Sequence, residues 1–269
     1  MFDTSWLNVV TFFGAWAILW LPIAFIISRL INWQPNQPLI PRQKIILLLS
    51  LYAFVPLILG WKIKAENLLL ADLGLSLDSY ILASILLGLI LSVISLAIVF
   101  SFESAFKFVS WHRENIKSLL PLLLPILILS LLISLSEELV FRGYVYSTLS
   151  TNGSYWLAAT FSSLIFALLH LLWERRATAP QIPGLWLMGM ILVEARLINN
   201  HDIYLAVGLH AGWIWGLTCI DSAQLLTYSY KNHWLTGINQ QPLAGVAGIL
   251  CLTVTGWALW LISSKLVLF

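Results

Sequence analysis

Apolar residues in this chain run on for longer than a soluble core can use. Eight stretches are dominated by them: about Trp6–Ile27, Ile45–Trp61, Ile81–Phe102, Ile126–Leu149, Tyr155–Trp173, Leu185–Ile198, Ile203–Ile220 and Leu243–Ile262. A helix of about 20 such residues crosses the hydrocarbon core of a bilayer, and only helices or closed barrels satisfy their own backbone groups there. The runs are continuous rather than alternating, which selects helices over barrel strands. The expectation is an all-α fold: a polytopic membrane helix bundle of about eight transmembrane helices, forming one integral-membrane domain over residues 1–269. Charged residues make up 10% of the chain, against about 25% in soluble domains.

The intervening segments are polar. Trp6–Ile27 is too long for a signal-peptide core and carries no positive charge ahead of it, so it is expected to be a first span. Asn32–Lys44 holds Pro35, Pro38 and Pro41, and Lys62–Tyr80 mixes charges with leucines, as a short interfacial helix does. Glu103–Lys117 reads as a charged loop, and Pro121 and Pro125 mark the start of the fourth helix. Asn152-Gly153 reads as a turn; with Ser154 it also matches a glycosylation sequon, a pattern common by chance. Cys219 and Cys251 both lie in apolar runs, as unpaired buried thiols do, and 14 Trp with 8 Tyr suit interfacial belts. The net charge of +2 comes with no basic block, so the lipid bilayer is an expected partner and nucleic acid is not. Basic residues divide unevenly between alternate loops. Arg29, Arg42, Lys44, Lys107, Arg113, Lys117, Arg175, Arg176 and Lys231 fall on one side; Lys62, Lys64, Arg196 and Lys265 fall on the other. The positive-inside rule then places both termini outside the cytoplasm.

Within the fourth span lies Ser-Leu-Ser-Glu-Glu-Leu-Val-Phe-Arg-Gly, residues 134–143. Ionisable groups at such a depth are costly, face the protein interior and mark function by default. Glu137 and Glu138 point about 100° apart on a helix, so they cannot share one role. Glu138 stands one turn before Arg142, the favourable order for an ion pair, which commits Glu138 and frees Glu137. Counted from the Asn152-Gly153 turn at about 1.5 Å per residue, Glu137 and His170 lie roughly 18 and 22 Å deep, and His210 roughly 10 Å. They level out if the hairpin tip projects beyond the bilayer, with Tyr144 and Tyr146 at the interface and Ser147–Ser154 outside. Phe166, one turn before His170, packs under its ring. A carboxylate beside two imidazoles is a general base for water. Each signal also has a structural reading: a buried Glu–Arg bridge, or a hydrogen-bonded interhelical His. His112, His201 and His233 read as solvated loop residues, and Glu194 and Arg196 as side chains that snorkel from a helix end.

The motifs carry a resemblance. Glu137-Glu138-Leu-Val-Phe-Arg142 resembles the E-E-x-x-x-R motif of the CPBP family, the CAAX proteases and bacteriocin-processing enzymes also called Abi. Phe166-Ala-Leu-Leu-His170 is similar to its F-x-x-x-H motif, and His210-Ala-Gly-Trp-Ile214 to its H-x-x-x-N motif. The similarity covers roughly residues 121–220, the core that carries the motifs. It implies an intramembrane endopeptidase of the CAAX prenyl protease type acting on a membrane-associated peptide or protein. By position, Glu137 activates water, Glu138 and Arg142 hold the helix, and His170 and His210 bind a metal or stabilise the oxyanion. Ile214 stands where the family has Asn and can neither ligate nor donate, which leaves Trp213 or Trp215 as indole donors at other spacings. The family is often called metalloprotease. A catalytic zinc takes three protein ligands, which Glu137, His170 and His210 would supply, with another base then needed. Without metal, Glu137 is the base; this metal-independent version is preferred. Two other classes compete: a non-catalytic membrane scaffold or maturation factor of the same fold, which Ile214 favours, and a transporter, against which stands the lack of an inverted repeat.

Overall fold

The computed structural model describes residues 4–34, 37, 39–151, 153–172, 175–230 and 233–266. The chain is a polytopic membrane bundle, almost entirely helical. In order come α1 (Thr4–Leu30), α2 (Pro41–Tyr52), α3 (Val55–Glu66), α4 (Ile81–Ala105), α5 (Leu123–Glu138), α6 (Tyr146–Ser150), α7 (Tyr155–Leu169), α8 (Ile182–Ile198), α9 (Tyr204–Ser222) and α10 (Val246–Leu266). Among the described residues, seven helical stretches are long and apolar enough to cross a membrane. The seventh expected span, α9, is not among them, and it is largely shielded from lipid. Every residue from Tyr204 to Trp213 is buried, so this helix can carry His210 and a row of glycines instead of leucines.

The row is Gly208-x-x-x-Gly212-x-x-x-Gly216, and it lies against α4. A Cβ on Gly208 would overlap the Ile85 carbonyl, and one on Gly212 would overlap the Ser92 hydroxyl. From the other side, a Cβ on Gly88 would lie 2.5 Å from the Leu205 carbonyl. Without a hydrophobic force between helices in lipid, such backbone approach supplies the packing. The opposite face of α9 is thereby pressed towards α5, which carries the two glutamates.

Several boundaries differ from the sequence expectation. The second span is two helices, because Pro56 near the start of α3 cannot donate a backbone hydrogen bond into the preceding turn. Lys62–Tyr80 forms no interfacial helix of its own: α3 runs on to Glu66 with Lys62 buried, and a 3-10 turn, Leu70–Leu73, follows. The charged loop contains a strand, β1 (Val109–Trp111), antiparallel to β2 (Leu226–Tyr228), with Val109 opposite Tyr228. Tyr144 and Tyr146 are buried rather than interfacial. The Tyr144 hydroxyl donates to Glu66 at 2.8 Å, and Glu66 pairs with Lys62 at 2.7 Å. The Asn152-Gly153 turn with its sequon, Trp173, Glu174, Lys231, Pro35 and Pro38 lie wholly or partly outside the described residues.

The start of α1 marks one end of the bundle. The Tyr144 hydroxyl lies 3.4 Å from the Asn8 carbonyl as well as against Glu66, so the start of α1 and the end of α3 share that end. The segments between α1 and α2, α4 and α5, α7 and α8, and α9 and α10 lie at the opposite end, which carries most of the basic residues.

Candidate active site

The fourth crossing is not one α-helix. Between α5 and α6, residues Leu139–Val145 form a π-helix, in which each N–H reaches back five residues instead of four. The widened turn redirects carbonyls, which then need other donors. The Phe141 carbonyl accepts the Tyr146 N–H and the Ser162 hydroxyl, the latter at 2.7 Å. The Arg142 carbonyl accepts the guanidinium of Arg196. Arg196 does not snorkel: it is buried, and it also donates to the His201 carbonyl at 2.8 Å, the Asp72 carbonyl at 3.0 Å and the Ser147 hydroxyl at 2.9 Å. Gly143 lets the Leu70–Leu73 turn close on this segment, since a Cβ there would stand 3.1 Å from the Leu73 carbonyl.

Both glutamates reach His210, one at each ring nitrogen. Glu138 Oε1 accepts from Arg142 Nη1 at 3.0 Å and lies 2.8 Å from His210 Nδ1. Glu138 and Arg142 have no exposed side-chain surface. The expected pair of Glu138 with Arg142 is present, and the same oxygen also meets His210. Glu137 Oε1 accepts the hydroxyl of Tyr52, while Glu137 Oε2 lies 3.6 Å from His210 Nε2 and has no hydrogen-bond partner among the described residues.

His170 sits just past the end of α7, on a 3-10 turn rather than within the span. Its Nδ1 lies 2.8 Å from the Phe166 carbonyl. A carbonyl only accepts, so Nδ1 carries the proton, and Nε2 is the nitrogen left for other partners. Phe166 is the apolar hub. Its ring centre is 4.6 Å from that of His170, 5.7 Å from that of His210 and 5.2 Å from that of Phe141; the Arg142 guanidinium lies 4.4 Å above it. A cation over an aromatic face compensates in part for a guanidinium whose Nε and Nη2 have no hydrogen bond among the described residues.

Glu137, His170, His210 and Tyr52 all line one cavity of about 740 Å³, otherwise mainly apolar. Its wall includes Lys44, Thr178, Gln181 and Gln241, so it reaches the basic end of the bundle, away from the α6–α7 connection. Ile214 also lines it and presents only carbon. The two tryptophans considered as replacement donors are committed elsewhere: Trp213 Nε1 donates to Ser95 Oγ at 3.1 Å, and Trp215 Nε1 to the Leu123 carbonyl at 2.9 Å. Among the described residues, no three His, Cys, Asp or Glu side chains are grouped as a metal site requires.

Three contributors were not read from the sequence. Ser162 and Arg196 answer the π-helix, which no residue pattern announces. Tyr52 had a faint signal: a hydroxyl in an apolar run, four residues before the proline that ends its helix.

A carboxylate pair and two histidines thus meet inside the membrane bundle, and Glu137, His170 and His210 line an apolar cavity there. Residues 118–216 match the family described as type II CAAX prenyl endopeptidase Rce1-like, and this stretch holds Glu137, Glu138, Arg142, Phe166, His170 and His210. No curated protein and no solved structure shows significant similarity to the chain. Tyr52, from α2, lies outside the matched stretch.

Proposed function

We propose that the chain is an endopeptidase that cleaves a membrane-associated peptide or protein within the bilayer, using a water activated by Glu137. The observation that carries this reading is the state of that carboxylate. Its Oε1 is occupied by Tyr52, and its Oε2 makes no hydrogen bond among the described residues and faces His210 Nε2, on a residue that lines the cavity. A carboxylate held by one oxygen and bare at the other is oriented to accept a proton from water there.

In this mechanism Glu137 Oε2 takes the proton, and the hydroxide adds to the scissile carbonyl. His210, oriented by Glu138 at Nδ1, donates from Nε2 to the oxyanion; in that role both of its nitrogens carry protons. His170, fixed through the Phe166 carbonyl, presents Nε2 to the same space. Glu137 then returns its proton to the leaving amine as the tetrahedral intermediate collapses. No step is routed through a metal, since among the described residues no three His, Cys, Asp or Glu side chains are grouped as a metal site requires. Activity of the purified protein should survive exhaustive chelation; zinc retained at one per chain and needed for activity would overturn the metal-independent form.

The reading as a whole is tested by comparing peptide termini in membranes from cells that carry the wild type or Glu137→Gln. New C-termini present only with the wild type support a peptidase. The scaffold reading is favoured by Ile214 in the cavity wall, and it requires that the two sets of termini coincide while the cellular effect of the protein persists.

A further inference from the structure

On the far side of α8 from the catalytic cavity, Glu194 lines a second cavity, a groove of about 440 Å³ between α7, α8 and α10. It is half-buried, and among the described residues it makes no hydrogen bond or ion pair. Gly256 on α10 leaves room for the carboxylate, since a Cβ there would lie 3.3 Å from Glu194 Oε2. Around it stand four aromatic residues, Tyr155 and Trp156 from the first turn of α7 and Trp257 and Trp260 from α10, and Thr253, whose hydroxyl is committed to the Ile249 carbonyl at 2.8 Å. All four rings are largely exposed on the outside of the bundle.

The groove is graded along the membrane normal. Glu194 stands four residues from the end of α8, roughly 6 Å, beside the start of α7, so this part lies at interfacial depth. Leu187, Met190 and Ile191 continue the lining towards the bilayer centre, with Leu187 roughly 10 Å deeper than Glu194. An unpaired carboxylate among aromatic faces selects a cation, and indole faces favour ammonium groups in particular. The deeper apolar lining selects a chain attached to that cation.

We propose that this groove binds a membrane lipid with an ammonium head group. The ammonium sits between Glu194 and the indole faces of Trp257 and Trp260, and an acyl chain lies along Leu187, Met190 and Ile191. An anionic lipid without an amine meets the Glu194 charge and is disfavoured. The assignment is independent of whether the protein cleaves peptides.

The full chain, purified in mild detergent, would be titrated with phosphatidylcholine, phosphatidylethanolamine or phosphatidylglycerol of matched acyl chains, and retained lipid counted by native mass spectrometry. An ammonium lipid should be retained about fivefold over phosphatidylglycerol, the upper end for one exposed ion pair. Glu194→Gln should abolish the preference, and Trp257→Leu should weaken it, with thermal unfolding of both variants as in the wild type. Equal retention of all three lipids, or an undiminished preference in Glu194→Gln, would overturn the assignment. Because Glu194→Gln keeps the shape of the side chain, a misfolded variant is not expected; should it unfold early, Trp257→Leu with the wild-type preference would still refute the site.

Discussion

Replacing Arg142 with leucine strands the charge of Glu138. Both side chains are wholly buried, 3.0 Å apart, and the guanidinium rests 4.4 Å above Phe166. Removing one partner of such a pair costs roughly 3–5 kcal/mol, because the remaining charge keeps its desolvation penalty. Folded proteins have only about 5–15 kcal/mol in hand, so Arg142→Leu and Glu138→Leu should each sharply lower the amount of folded protein. The double change removes both charges and leaves apolar volume, which in buried pairs is often close to neutral. The double variant should therefore lie far above the sum of the singles, with a coupling well beyond the ~0.5 kcal/mol scatter of independent sites. Folded yield by size exclusion and the midpoint of thermal unfolding would be measured for all four proteins. Additive losses would refute the pairing. A second readout isolates the contact to His210: the double variant also removes the acceptor 2.8 Å from Nδ1, so it should fold yet not cleave. Recovery of cleavage together with folding would refute that orienting role.

Tyr52→Phe should leave the bundle intact and lower turnover about tenfold to a hundredfold, the worth of one hydrogen bond to a charged group; unchanged turnover would show that Glu137 needs no anchor. Gly208→Ala puts a methyl into the Ile85 carbonyl on α4 and should cost roughly 1–3 kcal/mol, seen as a lower unfolding midpoint, whereas Gly14→Ala, which meets nothing, should cost no such loss. Ile214→Asn places an amide donor in the cavity wall and should raise turnover, by up to about a hundredfold if it reaches the oxyanion; no gain would mean that the histidines already fill that role.

The lipid-facing helices were legible because their apolar runs are long and polar interruptions there are costly. The pairing of Glu138 with Arg142 was legible too, since one turn of spacing survives even where the helix widens into a π turn. Sequence spacing left open which partners the pair meets across the bundle. His210 bridges both glutamates because the glycine row of α9 lets that helix approach α4 and sets its rotation, a three-body fit that no single motif encodes. Arg196 was misread for a related reason. Its position near a helix end suggests an exposed charge, but the carbonyl it serves becomes available only through the π-helix between α5 and α6. Tyr52 reaches Glu137 from 85 positions away through a helix break, and such contacts follow from tertiary packing rather than local pattern. The candidate cavity extends to the basic end of the bundle.

The most direct test of Glu137 as the base is a single substitution in the purified full chain, reconstituted in lipid with a peptide identified from the wild-type membranes. Glu137→Gln keeps the shape and an acceptor for the Tyr52 hydroxyl but cannot take a proton from water. Folded yield and unfolding midpoint should match the wild type, while cleavage falls below detection. Cleavage at the wild-type rate in a folded Glu137→Gln protein would contradict the account.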